Sequence, residues 1–381
     1  MAKGSDDETS KTSSEASSFD IFSSKHFRAG FAFSLTFVFL LFVMFHTHDE
    51  DLEKSRRILS NKELFEELEH KYGGSRVVGH ICGKTECFHV RDVFGKDEKG
   101  VHFATRVIHQ VGLPEGCISM IKLKQPVRPT MRSLNTRDWE IDKRVIDRMG
   151  YNGRLIEFIF TSGAVPMNLQ AKADVLAIGT GGGAIMNYLS ANFPNFNVTG
   201  VEIDPLMIDI SRDYFGVRQS EKARVLEADG LKVLQDMAEA GDTVNALILD
   251  ACNNDFRDEW TCPIVGFLQD STLSNIKKVI GNKGVIAMNV LAGSGLETST
   301  EVVQLREKLK IYFSSCTFTT LEHMDNVVVE CNNIVEKKTA VQPLEAKEFV
   351  EKNGIEHILL HVNEKSYMIY NSTQEENEHE L

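Results

Sequence analysis

The chain runs to 381 residues, more than one average domain, with 42% hydrophobic residues to build a substantial core and a formal net charge of −13. That acidic balance excludes nucleic acid as the main partner, because such proteins present a basic face to phosphate. A cationic substrate suits the charge, and so does an acidic surface that is merely solvated.

Residues 1–26 are rich in Ser, Asp, Glu and Lys, have little to bury, and read as a disordered tail. Ala29 to Phe45 carries no charge, and Ser34 and Thr36 are its only hydroxyls. At ~1.5 Å per residue it makes about 25 Å of helix, close to the roughly 30 Å hydrocarbon core of a bilayer. With its flanking residues it reads as a single-pass membrane anchor over 27–46. No small-x-small cleavage site follows it, which disfavours a signal peptide. Lys25 and Arg28 ahead of the run favour a lumenal catalytic part, while Lys54, Arg56 and Arg57 beyond it leave the membrane face open. Residues 47–74 are densely charged, with Leu64, Phe65 and Leu68 at helical spacing and Gly73-Gly74 as a stop, a pattern for a charged helical stem.

Between 75 and 124 the pattern changes to short β-rich runs, Arg76 to Ile81, Cys87 to Val93, Val101 to Ile108 and Cys117 to Leu123, separated by glycines. This predicts an antiparallel β subdomain. A connector over 125–170 has apolar positions from Ile141 to Phe158 that suit helices lying over a ligand cleft. From 171 to 335 strands and helices alternate regularly, which predicts an α/β fold with a Rossmann-like, doubly wound parallel sheet and an antiparallel pair at its end. Residues 336–371 read as a helix and strand extension, and 372–381 as an acidic tail. Of the seven cysteines, Cys82 and Cys87 can close a hairpin if oxidised, Cys316 and Cys331 look like core thiols, and no spacing suggests a metal site.

The most informative stretch is Asp174 to Gly183, a buried strand running into Gly179-Thr180-Gly181-Gly182-Gly183 and then a helix. The glycines permit a tight turn and close backbone approach to a ligand. Glu202, at the end of the next strand, is placed to accept hydrogen bonds from ribose hydroxyls, with Ile203 following it. Those features serve NAD and S-adenosylmethionine alike. The next two strand ends separate them: Asp229, ahead of Gly230, can accept from an adenine amino group, and Asp250 faces a reacting sulfonium. Each aspartate has an alternative role as a helix N-cap. Together the positions point to S-adenosylmethionine, with Asp250 also the candidate base and Asn253 and Asn254 the candidate peptide contacts.

The segments Gly-Thr-Gly-Gly-Gly, Val-Glu-Ile-Asp-Pro, Ala-Asp-Gly and Leu-Asp-Ala-Cys-Asn-Asn-Asp255, with Cys262-Pro263, resemble the C-terminal, spermidine-synthase-type class I methyltransferase domain of the methyltransferase-like protein 13 family. The likeness covers roughly residues 75–335 and is strongest over 173–291. It implies methyl transfer to the N-terminal amine of a protein, elongation factor 1-alpha in that family. The lysine activity of the family's separate N-terminal domain is not implied, because here the apolar run takes that domain's place. Related spermidine synthases use decarboxylated S-adenosylmethionine and an Asp-Ser-Ser-Asp motif after strand four. Asp250-Ala-Cys-Asn253 lacks the second carboxylate, which disfavours aminopropyl transfer. A catalytically silent nucleoside-binding scaffold is the third reading, and a homodimer is compatible with any of them.

Overall fold

The computed structural model describes residues 37, 39, 41, 44 and 56–371, apart from 98, 114–115, 147–149, 254–259, 293–298, 322–323, 335–347, 350 and 354–366. The chain divides into two units, Met1–Ile58 and Leu59–Leu381. In the first, Phe37, Phe39, Leu41 and Met44 are helical and exposed, and the rest of the expected anchor lies outside the described residues. Among the described residues no helix is long and apolar enough to cross a membrane. The single-pass anchor is therefore corrected. The helices that are described run to 12 residues or fewer, far short of the ~20 apolar residues that a span needs, and the lumenal placement that rested on the anchor falls with it.

The second unit opens with helix α1 (Asn61–Tyr72). Its start is a capping box: the Ser60 hydroxyl accepts from the Glu63 N–H at 3.2 Å, and Glu63 Oε2 accepts from the Ser60 N–H at 2.8 Å. Gly73 ends it in the left-handed region at φ 63°. Leu64, Phe65 and Leu68 are buried with Phe94, Ala104, Leu134 and Trp139, so this helix packs on the β subdomain and is no free-standing stem. We expect Ser60→Ala to cost about 1 kcal/mol, read as a lower urea midpoint with unchanged m-value.

Strands β1 (Ser75–Cys82), β2 (Cys87–Lys96), β3 (His102–Gln110) and β4 (Cys117–Lys122) form an antiparallel meander in chain order. In β2 Phe88, Val90, Asp92 and Phe94 are buried while the residues between them stay half-exposed. The buried charge is paired: Arg106 donates through Nε and Nη2 to Asp92 at 2.7 and 3.0 Å, and its Nη1 and Nη2 reach the carbonyls of Tyr214 and Thr136.

Helix α2 (Tyr151–Thr161) leads into the α/β core. The predicted helical run from Trp139 starts only at Tyr151, because Ile141 is drawn into a β-bridge with Leu123. Next come β5 (Ala173–Ile178), α3 (Ala184–Asn192), β6 (Phe196–Glu202), α4 (Pro205–Tyr214), β7 (Ala223–Glu227), α5 (Gly230–Ala240) and β8 (Ala246–Leu249). Short β9 (Trp260–Cys262) precedes α6 (Asp270–Ile280), β10 (Val285–Ala292), α7 (Thr300–Leu309), β11 (Ser315–Thr320), β12 (Val327–Asn332) and β13 (Tyr367–Asn371). The strand order is β13-β11-β12-β10-β8-β5-β6-β7, with β9 beside β10. Strands β10, β8, β5, β6 and β7 are parallel, and β12, β11 and β13 are antiparallel.

Both faces of the parallel region are buried, as its unbroken apolar strands require. On one face Val175, Ala177, Ala246 and Ile248 meet Leu155 and Ile159 of α2 and Leu189 of α3. On the other, Leu176, Ile178, Leu247 and Leu249 meet Leu234, Leu273 and Ile276. Three disulfides are present: Cys82–Cys87, Cys252–Cys262 and Cys316–Cys331. The last pair was expected as core thiols, but Cys316 and Cys331 stand directly opposite each other in register on β11 and β12.

Candidate active site

The chain proceeds from β5 outward to β6 and β7, then returns to place β8 on the other side of β5. Such a reversal opens a crevice at the carboxyl ends of the strands. A cleft of about 330 Å³ lies there, walled by the ends of β5, β6 and β8, with Tyr151 of α2 and Cys117 to Ser119 of β4 also lining it. The β subdomain thus supplies part of the wall.

Gly179 and Gly181 adopt φ values of +79° and +49°, which leaves bare backbone at the base of the cleft. Gly182 and Gly183 do not line it. A Cβ at Gly182 would meet Ser119 and Phe215, and one at Gly183 would meet Val217, so these two serve close packing beside the turn.

Glu202 faces the cleft and ties the turn together. Its Oε2 accepts from the N–H groups of Thr180 and Gly181 at 3.0 and 3.1 Å, and its Oε1 from those of Ile203 and Asp204 at 3.0 and 3.2 Å. Four backbone donors fix this carboxylate in place, and its oxygens keep lone pairs to share with a hydroxyl ligand. Ile203 is 68% exposed beside it. Asp229 caps α5 by accepting from the Leu231 N–H at 2.9 Å and also lines the cleft with Gly230, so both roles expected for it coexist.

Asp250 stands at the end of β8, opposite Glu202. The Tyr151 hydroxyl donates to its Oδ2 at 3.1 Å, and Asn289 Nδ2 donates to its Oδ1 at 2.8 Å. Asn326 Nδ2 in turn donates to Asn289 Oδ1 at 2.8 Å, fixing which way that amide faces. Burial pushes the Asp250 carboxyl up to about 7, with Glu202 adding to the rise and the hydrogen bonds from Asn289 and Tyr151 opposing it. Burial also raises the Tyr151 phenol well above its ordinary value, and the Asp250 charge adds to this. Tyr151 is therefore a neutral donor, and Asp250 a carboxyl that exchanges its proton near neutrality.

Asn253 lines the cleft, and its N–H is held by the Thr261 carbonyl at 2.7 Å; Asn254 and Asp255 lie outside the described residues. The Cys252–Cys262 disulfide joins the turn after β8 to β9 in the cleft wall. The structure thus brings Gly179, Thr180, Gly181, Glu202, Ile203, Asp229, Gly230, Asp250 and Asn253 around one cavity. Sequence reasoning missed Tyr151, Asn289 and Asn326. An aromatic at a helix start, an asparagine inside β10 and another just ahead of β12 carry no local signal that they converge on an aspartate.

An open α/β sheet with a cleft at this reversal, flanked by an antiparallel β subdomain, is the Rossmann-like architecture shared by class I methyltransferases and spermidine synthases. Residues 161–330 match the spermine/spermidine synthase domain. It is 32% identical over 170 residues to the eEF1A lysine and N-terminal methyltransferase homolog of Drosophila pseudoobscura pseudoobscura, covering 45% of this chain and 25% of that protein. Against the eEF1A lysine and N-terminal methyltransferase of Homo sapiens it is 27% identical over 180 residues, covering 46% of this chain and 25% of that protein. The matched stretch thus spans a quarter of these relatives. Human methyltransferase-like protein 13 in complex with SAH aligns with TM-score 0.46 and 22% identity over 53% of this chain and 91% of that one, a likeness too slight to bear on the site. The resemblance to the methyltransferase-like protein 13 family is borne out by the sequence relatives.

Proposed function

We propose that the cleft binds S-adenosylmethionine and that the chain transfers its methyl group to an amine of a protein or peptide. The observation that carries this reading is the single carboxylate of Asp250 at the end of β8, held by Tyr151 and Asn289 and followed by Ala251, Cys252 and Asn253. A diamine held for aminopropyl transfer calls for a second carboxylate in that turn.

The residues present suit the cofactor. The bare backbone at Gly179 and Gly181 accommodates its close approach, Glu202 offers acceptors to ribose hydroxyls, and Asp229 offers one to the adenine amino group. When bound, the cofactor supplies an electrophilic sulfonium methyl. What remains for this chain is to bring a neutral amine in line and exclude water. Asp250 orients the amine and accepts its proton on Oδ1 or Oδ2, while Tyr151 and Asn289 hold the carboxylate in place. An α-amine, with a pKa near ~7.7, reaches its neutral form near physiological pH, whereas a lysine at ~10.4 costs several kcal/mol to deprotonate. The N-terminal amine of a protein is therefore the preferred acceptor, and the names of the relatives point to elongation factor 1-alpha as the protein to try first.

Aminopropyl transfer is the second reading, favoured by the match to the spermine/spermidine synthase domain. Calorimetric titration with S-adenosylmethionine, its decarboxylated form and NADH separates the classes. We expect the first to bind most tightly. Preference for the decarboxylated form would replace methyl transfer by polyamine chemistry, and no binding of any would leave a scaffold.

A further inference from the structure

One end of the β1–β2 hairpin reads His80-Ile81-Cys82, then a turn, then Cys87-Phe88-His89. The strand period of two puts His80 and Cys82 on one face of β1, and Cys87 and His89 on one face of β2. The register makes these faces the same: His80 stands directly opposite His89, and Cys82 opposite Cys87. Phe88, between the two β2 residues, points the other way and is buried. Two imidazoles and two sulfurs thus occupy the corners of a small rectangle on the outer face of the hairpin.

Three of these side chains bring their ligand atoms together, and the His89 ring stands beside them. Cys82 Sγ lies 3.5 Å from His80 Nε2, the His80 and His89 ring centroids are 4.7 Å apart, and the ligand atoms of His80, Cys82 and Cys87 all lie within 4.8 Å of one another. A tetrahedral zinc ion with Zn–S of ~2.3 Å and Zn–N of ~2.0 Å sets its ligand atoms about 3.3–3.8 Å apart. We propose that His80, Cys82, Cys87 and His89 form a tetrahedral Cys2His2 site for zinc when the two cysteines are thiols. His109 follows His89 in register on β3, but its Nδ1 faces the Gly116 carbonyl at 3.2 Å, and it has no ligand role in this site.

The disulfide and the metal are alternative states of one clip. A dithiol reductant passes two electrons and two protons to the Cys82–Cys87 bond, giving two thiols and the cyclic disulfide of the reductant. Zinc then displaces the two thiol protons and gains two thiolates and two neutral imidazoles. Either state closes the turn, and Gly83 in that turn lies against Leu206 at the start of α4, the helix that follows Glu202. The clip therefore braces the hairpin against the element that leads out of the cleft, under oxidising and reducing conditions alike.

The test uses the full chain reduced with a phosphine and titrated with Co2+, then Zn2+. We expect one equivalent of cobalt with the visible bands of a tetrahedral ion and thiolate charge transfer in the near ultraviolet, all displaced by zinc. The spectrum should vanish in H80Q/H89Q and in C82S/C87S and persist in C252S/C262S. These ligands are exposed or half-exposed, so the variants should keep the circular dichroism of the parent. Absence of a tetrahedral cobalt spectrum in the reduced parent would overturn the proposal. So would its survival in H80Q/H89Q or its loss in C252S/C262S.

Discussion

Replacing Asp250 by Asn is expected to lower kcat about a thousandfold, within the range that a positioned general base contributes, while leaving S-adenosylmethionine affinity nearly unchanged. Asparagine keeps the shape of the side chain, accepts one of the hydrogen bonds now made by Tyr151 and Asn289, and donates to the Tyr151 oxygen in place of the other. What it cannot do is take a proton. Burial has already moved the carboxyl from 3.8 to about 7, so in the parent enzyme kcat/KM should rise as pH passes through neutrality and Asp250 becomes a carboxylate. An α-amine substrate adds a rise of its own near ~7.7. The variant should keep that rise and lose the one assigned to Asp250. The same shift has a consequence for stability. The folded carboxyl holds its proton more tightly than the unfolded one, so between 3.8 and about 7 the folded state loses stability as pH rises. D250N removes that loss, and the variant without ligand should melt above the parent at pH 8. Calorimetry and single-turnover kinetics at several pH values provide the readouts. Equal losses of binding and turnover would make Asp250 a cofactor ligand only, and retained transfer would remove it from the mechanism.

How much of this was visible beforehand follows from the range of the interactions. The run from Val175 to Ile178, the glycine turn and the acids at 202, 229 and 250 are local features, each set by a strand, a turn and the next helix. They were legible, and so was the antiparallel meander before them. The residues that complete the site depend on contacts between distant positions: Tyr151 reaches Asp250 across 99 residues and Asn289 across 39. The disulfides follow the same logic, since only the pairing of β11 with β12 sets Cys316 opposite Cys331. So does the hairpin clip, whose four side chains look unrelated until the register of β1 and β2 is known. The expected anchor failed for another reason. Among the described residues no helix is long and apolar enough to cross a membrane, and α1, taken for a charged stem, buries its apolar stripe against the β subdomain.

Gly179→Ala is expected to destabilise the fold by about 3 kcal/mol or more and to abolish cofactor binding with it. Two effects add. The φ of +79° places an L-residue in the left-handed region, at a cost of roughly 1–2 kcal/mol. The new methyl would also lie 2.2 Å from the Asp250 carbonyl oxygen and 2.6 Å from its carbon. Those atoms are backbone at the end of the neighbouring strand, held by the hydrogen bond from the Asp250 N–H to the Ile178 carbonyl at 2.8 Å, so no side-chain rotation relieves the clash. Relief requires β5 and β8 to part where they form the floor of the cleft, and such overpacking adds about 1–3 kcal/mol. Gly241→Ala isolates the first effect. Its φ is +76°, yet a Cβ there would meet nothing within 4 Å, so it should cost only that roughly 1–2 kcal/mol and leave binding intact. Urea unfolding of the two variants, paired with calorimetric titration of S-adenosylmethionine, measures the difference. Matching urea midpoints would mean that the contact with Asp250 does not constrain the turn. A well-folded Gly179→Ala variant that still bound the cofactor would show that the bare backbone at this position is not what admits it.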